Sequence, residues 1–201
     1  MIKLVVFDAY GVIIDGGFPP TIHALAEKFN RDYQELYSIF YTKYFNMAAE
    51  KKITQQEAWE YAIRDTGLDI SVEEVKKIHY GLMSLFPKLV SFADELKDKV
   101  TTILLTKNTP EMLSDTENKF SLRPHFYELI NTWEINLAKA SKETMQYLFK
   151  RYNVKPEEVI YFDDQKQNLV AAKELGVNTI HFRYYEQFKL EFDKLFEEQN
   201  D

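Results

Sequence analysis

Residues 158–182 read EVIYFDDQKQNLVAAKELGVNTIHF. The opening run, EVIYF over 158–162, is β-branched and aromatic, and it stops at Asp163 and Asp164. A helical pattern follows over 166–175, with Gly176 as its stop, and a second strand-like run begins at Asn178. Strand, helix and strand in so short a span make a βαβ unit, which calls for a parallel sheet. Two acids at the end of such a strand lie at the edge where open α/β sheets place their ligands.

The same alternation extends toward the N-terminus. Strand-like runs occur at 100–105 (VTTILL) and about 129–132 (LINT), with helical patterns at 110–119 and 141–152. The tail QFKLEFDKLFEEQ reads as a last amphipathic helix. Residues 2–7 (IKLVVF) form a first buried strand, followed at once by Asp8 and a turn containing Gly11, Gly16 and Gly17. Roughly 90 mostly helical residues then separate the first strand from the second, where a βα connection usually takes about 2–6.

That stretch has its own punctuation. Pro19 and Pro20 open a helix that breaks near Asn30, and an aromatic-dense helical pattern covers 32–46. Thr54 with Glu57, and Ser71 with Glu74, have capping-box spacing; Gly67 is a C-cap, and Pro87 follows the second of these helices. The expected organisation is an α/β core, residues 1–16 and 88–201, with a helical insertion over 17–87. Within the insertion, Phe18, Tyr37, Phe40, Tyr41, Tyr44, Phe45, Trp59 and Tyr61 supply its own core, with Phe18 and Tyr44 near enough to the junction to meet a ligand.

Composition narrows the function classes. Hydrophobic residues make up 45% of the 201 residues, enough for a proper core. A net charge of −7 argues against nucleic acid or an anionic membrane as partner, since both want a basic face. No cysteine is present, which removes disulfides and thiolate metal sites. No apolar run reaches membrane-span length, and the first residues are interrupted too early by Asp8 to be a secretory signal. A soluble cytoplasmic protein, monomer or homodimer, is expected.

Three strands end in polar residues that can converge: Asp8, Thr106, and Asp163 with Asp164. Carboxylates gathered at one edge repel, and a hard divalent cation relieves the repulsion. Mg²⁺ suits one or two carboxylates with phosphate oxygens and water. Asp8 can then attack phosphorus and form an aspartyl-phosphate. Thr106 can donate to a phosphoryl oxygen, and Lys139 can neutralise charge developing on the transferred group. Singly, each of these residues reads as a turn, cap or surface group; their order and spacing carry the reading.

In that order the chain resembles the haloacid dehalogenase superfamily of hydrolases over nearly its whole length. VVFDAYGVIID resembles the first motif, with Asp8 as nucleophile and Asp15 as the trailing acid. LLTKNTPEML resembles the second, on Thr106, and LAKASKETMQYL the third, on Lys139. The fourth falls on Asp163 and Asp164, with Asn168 after them. The resemblance implies a Rossmann-like sheet, a first-type helical cap over the site, and Mg²⁺-dependent hydrolysis of a small, anionic phosphomonoester. It implies metal ligation by Asp8, Asp163, Asp164 and the backbone carbonyl of Tyr10. Thr106, Lys107, Asn108 and Lys139 are expected to meet substrate. The insertion and fourth motif look most like phosphatases related to the N-terminal domain of bifunctional epoxide hydrolase and to glucose-1-phosphatase.

Tyr10 departs from that pattern. Phosphatases of the family commonly carry an Asp there, which protonates the leaving oxygen; a phenol with an ordinary pKa near 10 is poorly matched to that task. The D-A-Y-G string is also that of 2-haloacid dehalogenases, whose halide leaving group needs no proton. Against that alternative stand the Asp163–Asp164 pair and the lack of any arginine between Arg31 and Arg64 to hold a substrate carboxylate. Lys107 replaces an Asn, and KASK at 139–142 replaces a proline-containing string, which is expected to loosen the loop presenting Lys139. These substitutions leave a third reading open, a pseudo-enzyme that binds a phosphorylated ligand.

Overall fold

The computed structural model describes residues 1–200, with side chains through Glu197. In chain order the elements are β1 (Leu4–Asp8), β2 (Ile14–Asp15), α1 (Phe18–Phe29), α2 (Tyr33–Tyr37), a π-helical stretch (Ser38–Phe45) and α3 (Asn46–Ala49). There follow α4 (Gln55–Thr66), α5 (Val72–Gly81), β3 (Ser84–Leu85), α6 (Pro87–Leu96), β4 (Thr101–Thr106) and α7 (Pro110–Phe120). The chain continues with β5 (Glu128–Asn131), α8 (Thr132–Ile135), α9 (Lys142–Tyr152), β6 (Val159–Asp163), α10 (Lys166–Glu174), β7 (Asn178–His181) and α11 (Tyr185–Asn200).

The chain divides into two compact units. The first takes Met1–Ile14, Leu85–Lys107 and the residues from Phe120 onward; the second takes Asp15–Ser84 and Asn108–Lys119. The first unit is a five-stranded sheet in the order β5-β4-β1-β6-β7, and every pairing is parallel. This is the Rossmann-like α/β arrangement expected from the strand and helix alternation. All five residues of β1 and of β6 are buried, as strands covered on both faces must be. Alternation sends Leu4, Val6, Ile103, Leu105 and Tyr161 into one apolar layer with Met145 and Leu148. Phe7 and Phe162 touch at 4.5 Å between ring centroids, and Phe162 meets Phe188 of α11 at 4.4 Å.

Helix α6 was not apparent in the sequence, where Pro87 marked the end of the preceding helix. Pro87 instead occupies the first turn of α6, the position at which its missing N–H costs nothing. Leu89, Phe92, Ala93 and Leu96 then form its buried stripe.

The second unit is helical around Phe18, Ile22, Leu25, Leu36, Phe40, Trp59 and Val75. Both capping boxes form as the sequence indicated, at Thr54 with Glu57 and at Ser71 with Glu74. The pattern over 32–46 is not one α-helix. Its middle is wound as a π-helix, whose i→i+5 bonding brings residues four and five apart onto one face. Phe40, Tyr44 and Phe45 are buried together there. Residues 108–119 pack with this unit: Met112 joins its core, Thr109 Oγ1 donates to Gln55 at 3.1 Å, and Lys76 pairs with Glu111. Among the described residues, no helix is long and apolar enough to cross a membrane.

Candidate active site

The parallel sheet sets the site. β1 and β4 are paired so that Asp8 stands opposite Leu105, one residue before Thr106. β1 and β6 are paired through Phe7 and Phe162, one residue before Asp163. Asp8, Thr106 and Asp163 therefore end three adjacent strands at the same edge.

Lys139 reaches that edge from the segment between α8 and α9. Its ammonium donates to Asp8 Oδ1 and, at 2.8 Å, to Asp163 Oδ2. The segment is not loose, despite its lack of prolines. Thr144 Oγ1 donates to the Ala138 carbonyl at 2.7 Å, and the Ser141 hydroxyl caps α9 by accepting from Thr144 N. Side-chain hydrogen bonds on both sides of Lys139 do what prolines were expected to do.

Asp8, Asp163 and Asp164 each offer a carboxylate oxygen, all within 4.8 Å of one another. Asp8 is 4% exposed, Lys139 8% and Asp163 0%, so these charges are held almost wholly away from water. Three carboxylates share one ammonium there. Burial raises the Asp8 pKa, Lys139 only partly offsets that, and the Asp163 charge adds to it. Asp164 is likewise raised, by burial and then by Asp163. Burial alone would lower Lys139, but the Asp8 and Asp163 charges outweigh it and hold the ammonium above the usual lysine range. Burial opposes ionisation of Asp163 too, yet Lys139 and the hydrogen bonds it accepts leave it below the ordinary carboxylate value.

The two acids of the pair are not equivalent. Asp163 accepts from Lys139, from the Tyr161 hydroxyl at 2.7 Å, from Gln165 N at 2.8 Å, and from Asn168 Nδ2 at 3.0 and 3.1 Å. Both its oxygens are occupied. Asp164 Oδ1 is buried without a hydrogen-bond partner, as is the Thr106 hydroxyl. The Asp164 backbone carbonyl accepts from His181 Nε2 at 2.9 Å. Orphaned polar atoms at such depth cost about 1–3 kcal/mol each unless something meets them. An all-oxygen donor set with excess negative charge fits a hard divalent cation, and the free Thr106 donor fits an anionic oxygen.

The turn after β1 is shaped around the pair. Gly11 has φ +84°, and a Cβ there would overlap the Asp164 carboxylate. Gly11→Ala is expected to displace Asp164 and weaken Mg²⁺ binding at least tenfold, an effect isothermal calorimetry would read directly. Tyr10 is half-buried on this turn, in a bridge with Ile14, and Lys107 is half-buried just past β4. Asn108 is buried with the second unit, where its Oδ1 accepts from Thr109 N.

Cation binding is linked to protons. To ligate a cation Asp8 and Asp164 would have to lose theirs, and both hold them above the ordinary carboxylate pH. Their raised pKa values mean that the metal-free fold binds more protons than the unfolded chain, so these groups erode its stability as pH rises past the ordinary carboxylate range. The rise in melting temperature produced by Mg²⁺ is therefore expected to be larger at pH 8 than at pH 5, measured by thermal unfolding at fixed Mg²⁺.

The sequence alone does not tie Tyr161, Gly11 or His181 to the acid pair. Spacing offers a signal for Tyr161: it lies two residues before Asp163 in a strand, hence on the same face.

A family model described as haloacid dehalogenase-like hydrolase matches residues 2–176. D-ribitol-5-phosphate phosphatase of Bacteroides thetaiotaomicron is 24% identical over 188 residues, covering 89% of this chain and 91% of that one. (S)-2-haloacid dehalogenase 1 of Pseudomonas sp. is 27% identical over 190 residues, 89% of this chain and 83% of that one. Bifunctional epoxide hydrolase 2 of Sus scrofa matches at 28% over 127 residues, 60% of this chain and 21% of that much longer one. Among solved structures, a HAD family enzyme of Bacteroides thetaiotaomicron in magnesium complex superposes with a TM-score of 0.78 at 18% identity, covering 95% of this chain and 98% of that one.

Proposed function

Because this chain belongs to the haloacid dehalogenase-like hydrolases, we propose that it is a Mg²⁺-dependent phosphatase of a small phosphomonoester, with Asp8 as nucleophile. The observation that carries this reading is the Asp8–Asp163–Asp164 group with its unpartnered Asp164 oxygen. Three clustered carboxylates against one ammonium would repel a departing halide anion and make good sense around a cation and a phosphoryl group. The phosphatase relatives support the same substrate class.

In this reading Asp8, Asp164 and the Tyr10 backbone carbonyl would hold Mg²⁺; Asp163, which the resemblance also implies as a ligand, has both oxygens engaged by donors and would add charge behind them. Bound there, the ion supplies Lewis-acid stabilisation and keeps Asp8 ionised. Asp8 attacks phosphorus through the oxygen not held by Lys139, and the ester P–O bond breaks, the alcohol oxygen leaving with its electron pair and taking its proton from water. The Thr106 hydroxyl and the Lys139 ammonium donate to the equatorial oxygens as charge develops on them. Lys107 and Asn108 follow Thr106 in the chain and are assigned to the anionic substrate. Water then releases phosphate from Asp8. Tyr10 leaves the step that protonates the leaving oxygen without a matched acid, so turnover of unactivated esters is slow. Tyr10→Asp is expected to raise kcat on an alkyl phosphate about tenfold or more, with little gain on an aryl phosphate whose leaving group needs no proton.

A second reading, 2-haloacid dehalogenation, is favoured by Tyr10 itself and by the Pseudomonas relative. Parallel assays separate the two: phosphate release from an activated aryl phosphate with and without Mg²⁺, and halide release from a 2-haloacid. Mg²⁺-dependent phosphate release supports the phosphatase. Metal-independent halide release, lost in Asp8→Asn, would replace it with the dehalogenase.

A further inference from the structure

Tyr161 lies at the centre of β6, fully buried in an apolar layer with Val6, Leu105, Met145 and Leu148. A phenol is an unusual occupant of such a place, because its hydroxyl needs a partner there. The partner is Asp163, two residues along the same strand and on the same face, at 2.7 Å. The oxygen that accepts from Tyr161 is Oδ2, the one that also takes the Lys139 ammonium at 2.8 Å. Gln165 N holds the other oxygen, and Asn168 spans both. A flexible carboxylate is thereby fixed on each side, and on the side facing Lys139 the fixing donor is a rigid ring on a central strand.

We propose that Tyr161 is a positioning residue, which locks Asp163 Oδ2 and through it holds the Lys139 ammonium against Asp8. The hydroxyl is the part that matters. Phenylalanine would fill the apolar layer equally well but leave Oδ2 with one fewer donor, held only by Lys139 and the longer Asn168 contact at 3.1 Å. Lys139 would then keep its charge and lose its fixed direction.

The test is Tyr161→Phe, alone and combined with Asp163→Asn. The proposal builds on the charge-stabilising role assigned to Lys139 only for its kinetic part, so the first readout does not depend on turnover. It is hydrogen exchange of the Lys139 ammonium, followed by ¹⁵N NMR and assigned by its loss in Lys139→Arg. Tyr161→Phe is expected to speed that exchange about tenfold, as loss of one charge-assisted hydrogen bond would, with the melting temperature within about 2 °C of wild type. On a turned-over substrate, kcat is expected to fall about tenfold while KM stays within about twofold. In the Asp163→Asn background, adding Tyr161→Phe should change neither quantity. Unchanged ammonium exchange in Tyr161→Phe would overturn the proposal. So would an effect of equal size with and without Asp163, since Tyr161 would then not act through it. If the wild type hydrolyses no phosphomonoester, the exchange result still decides the proposal, and only the phosphatase reading falls.

Discussion

Asp8→Asn is expected to remove turnover, by about 10⁴-fold or more, and to leave the fold intact. The amide is close in shape to the carboxylate but cannot attack phosphorus, and removing a nucleophile costs nearly the whole of the chemistry that depends on it. Stability should not follow activity. Asp8 is one of two carboxylates paired with Lys139, and burial works against its ionised form. Lys139 retains Asp163 when Asp8 is neutral. The metal-free variant is therefore expected to melt no lower than wild type, while its response to Mg²⁺ disappears. Steady-state assays with paired melts at 0 and 5 mM Mg²⁺ (about the scale of working Mg²⁺) check both halves. A variant that unfolds would mean that Asp8 is structural.

Lys139→Met acts in the opposite direction on stability. It leaves Asp8 and Asp163 facing each other, buried, with their shared cation gone. Breaking a buried ion pair from one side typically costs about 3–5 kcal/mol. The cost should be largest for the metal-free protein at neutral pH. It should shrink toward pH 5, where Asp163 takes up a proton more readily once Lys139 no longer holds its carboxyl low, and in saturating Mg²⁺, which would supply the missing charge. Urea unfolding at pH 5 and pH 7.5, with and without Mg²⁺, reads all four conditions. Activity is expected to fall about 10²–10³-fold, the scale of losing one preorganised electrostatic donor.

These two expectations come from residues that the sequence already marked. A run such as IKLVVF followed by Asp8, and EVIYF followed by Asp163, places acids at strand ends on spacing alone, because parallel strands are continuous apolar runs and their ends are abrupt. What spacing does not carry is the difference between neighbours. Asp163 and Asp164 read as equals in sequence. In the fold, strand alternation turns Asp163 toward Tyr161 and Lys139, while Asp164, past the strand end, keeps a buried oxygen without a partner. Gly11 was visible as a turn residue, but its closeness to Asp164 depends on two strands meeting that lie far apart in the chain.

Other features are decided by packing, which the sequence does not spell out. Pro87 is compatible with both the end of one helix and the start of another, and only packing of Leu89, Phe92 and Leu96 settles which. The π-helical stretch over Ser38–Phe45 has the composition of an ordinary helix; its winding answers to the burial of Phe40, Tyr44 and Phe45 together. The placement of residues 108–119 with the second unit rests on tertiary pairs such as Thr109 with Gln55, which no periodicity announces. The helical insertion was legible as helices and capping boxes, but nothing in it names a substrate.

The most direct test of the central claim is to trap the intermediate on Asp8. Wild-type protein is mixed with an activated aryl phosphate and Mg²⁺, quenched in acid within the first turnover, reduced with borohydride and mapped by mass spectrometry. Reduction of an acyl phosphate turns aspartate into homoserine, so the account predicts homoserine at position 8, dependent on Mg²⁺ and absent in Asp8→Asn. Aryl alcohol released ahead of inorganic phosphate with position 8 still aspartate, or homoserine at Asp163 or Asp164 instead, would contradict it.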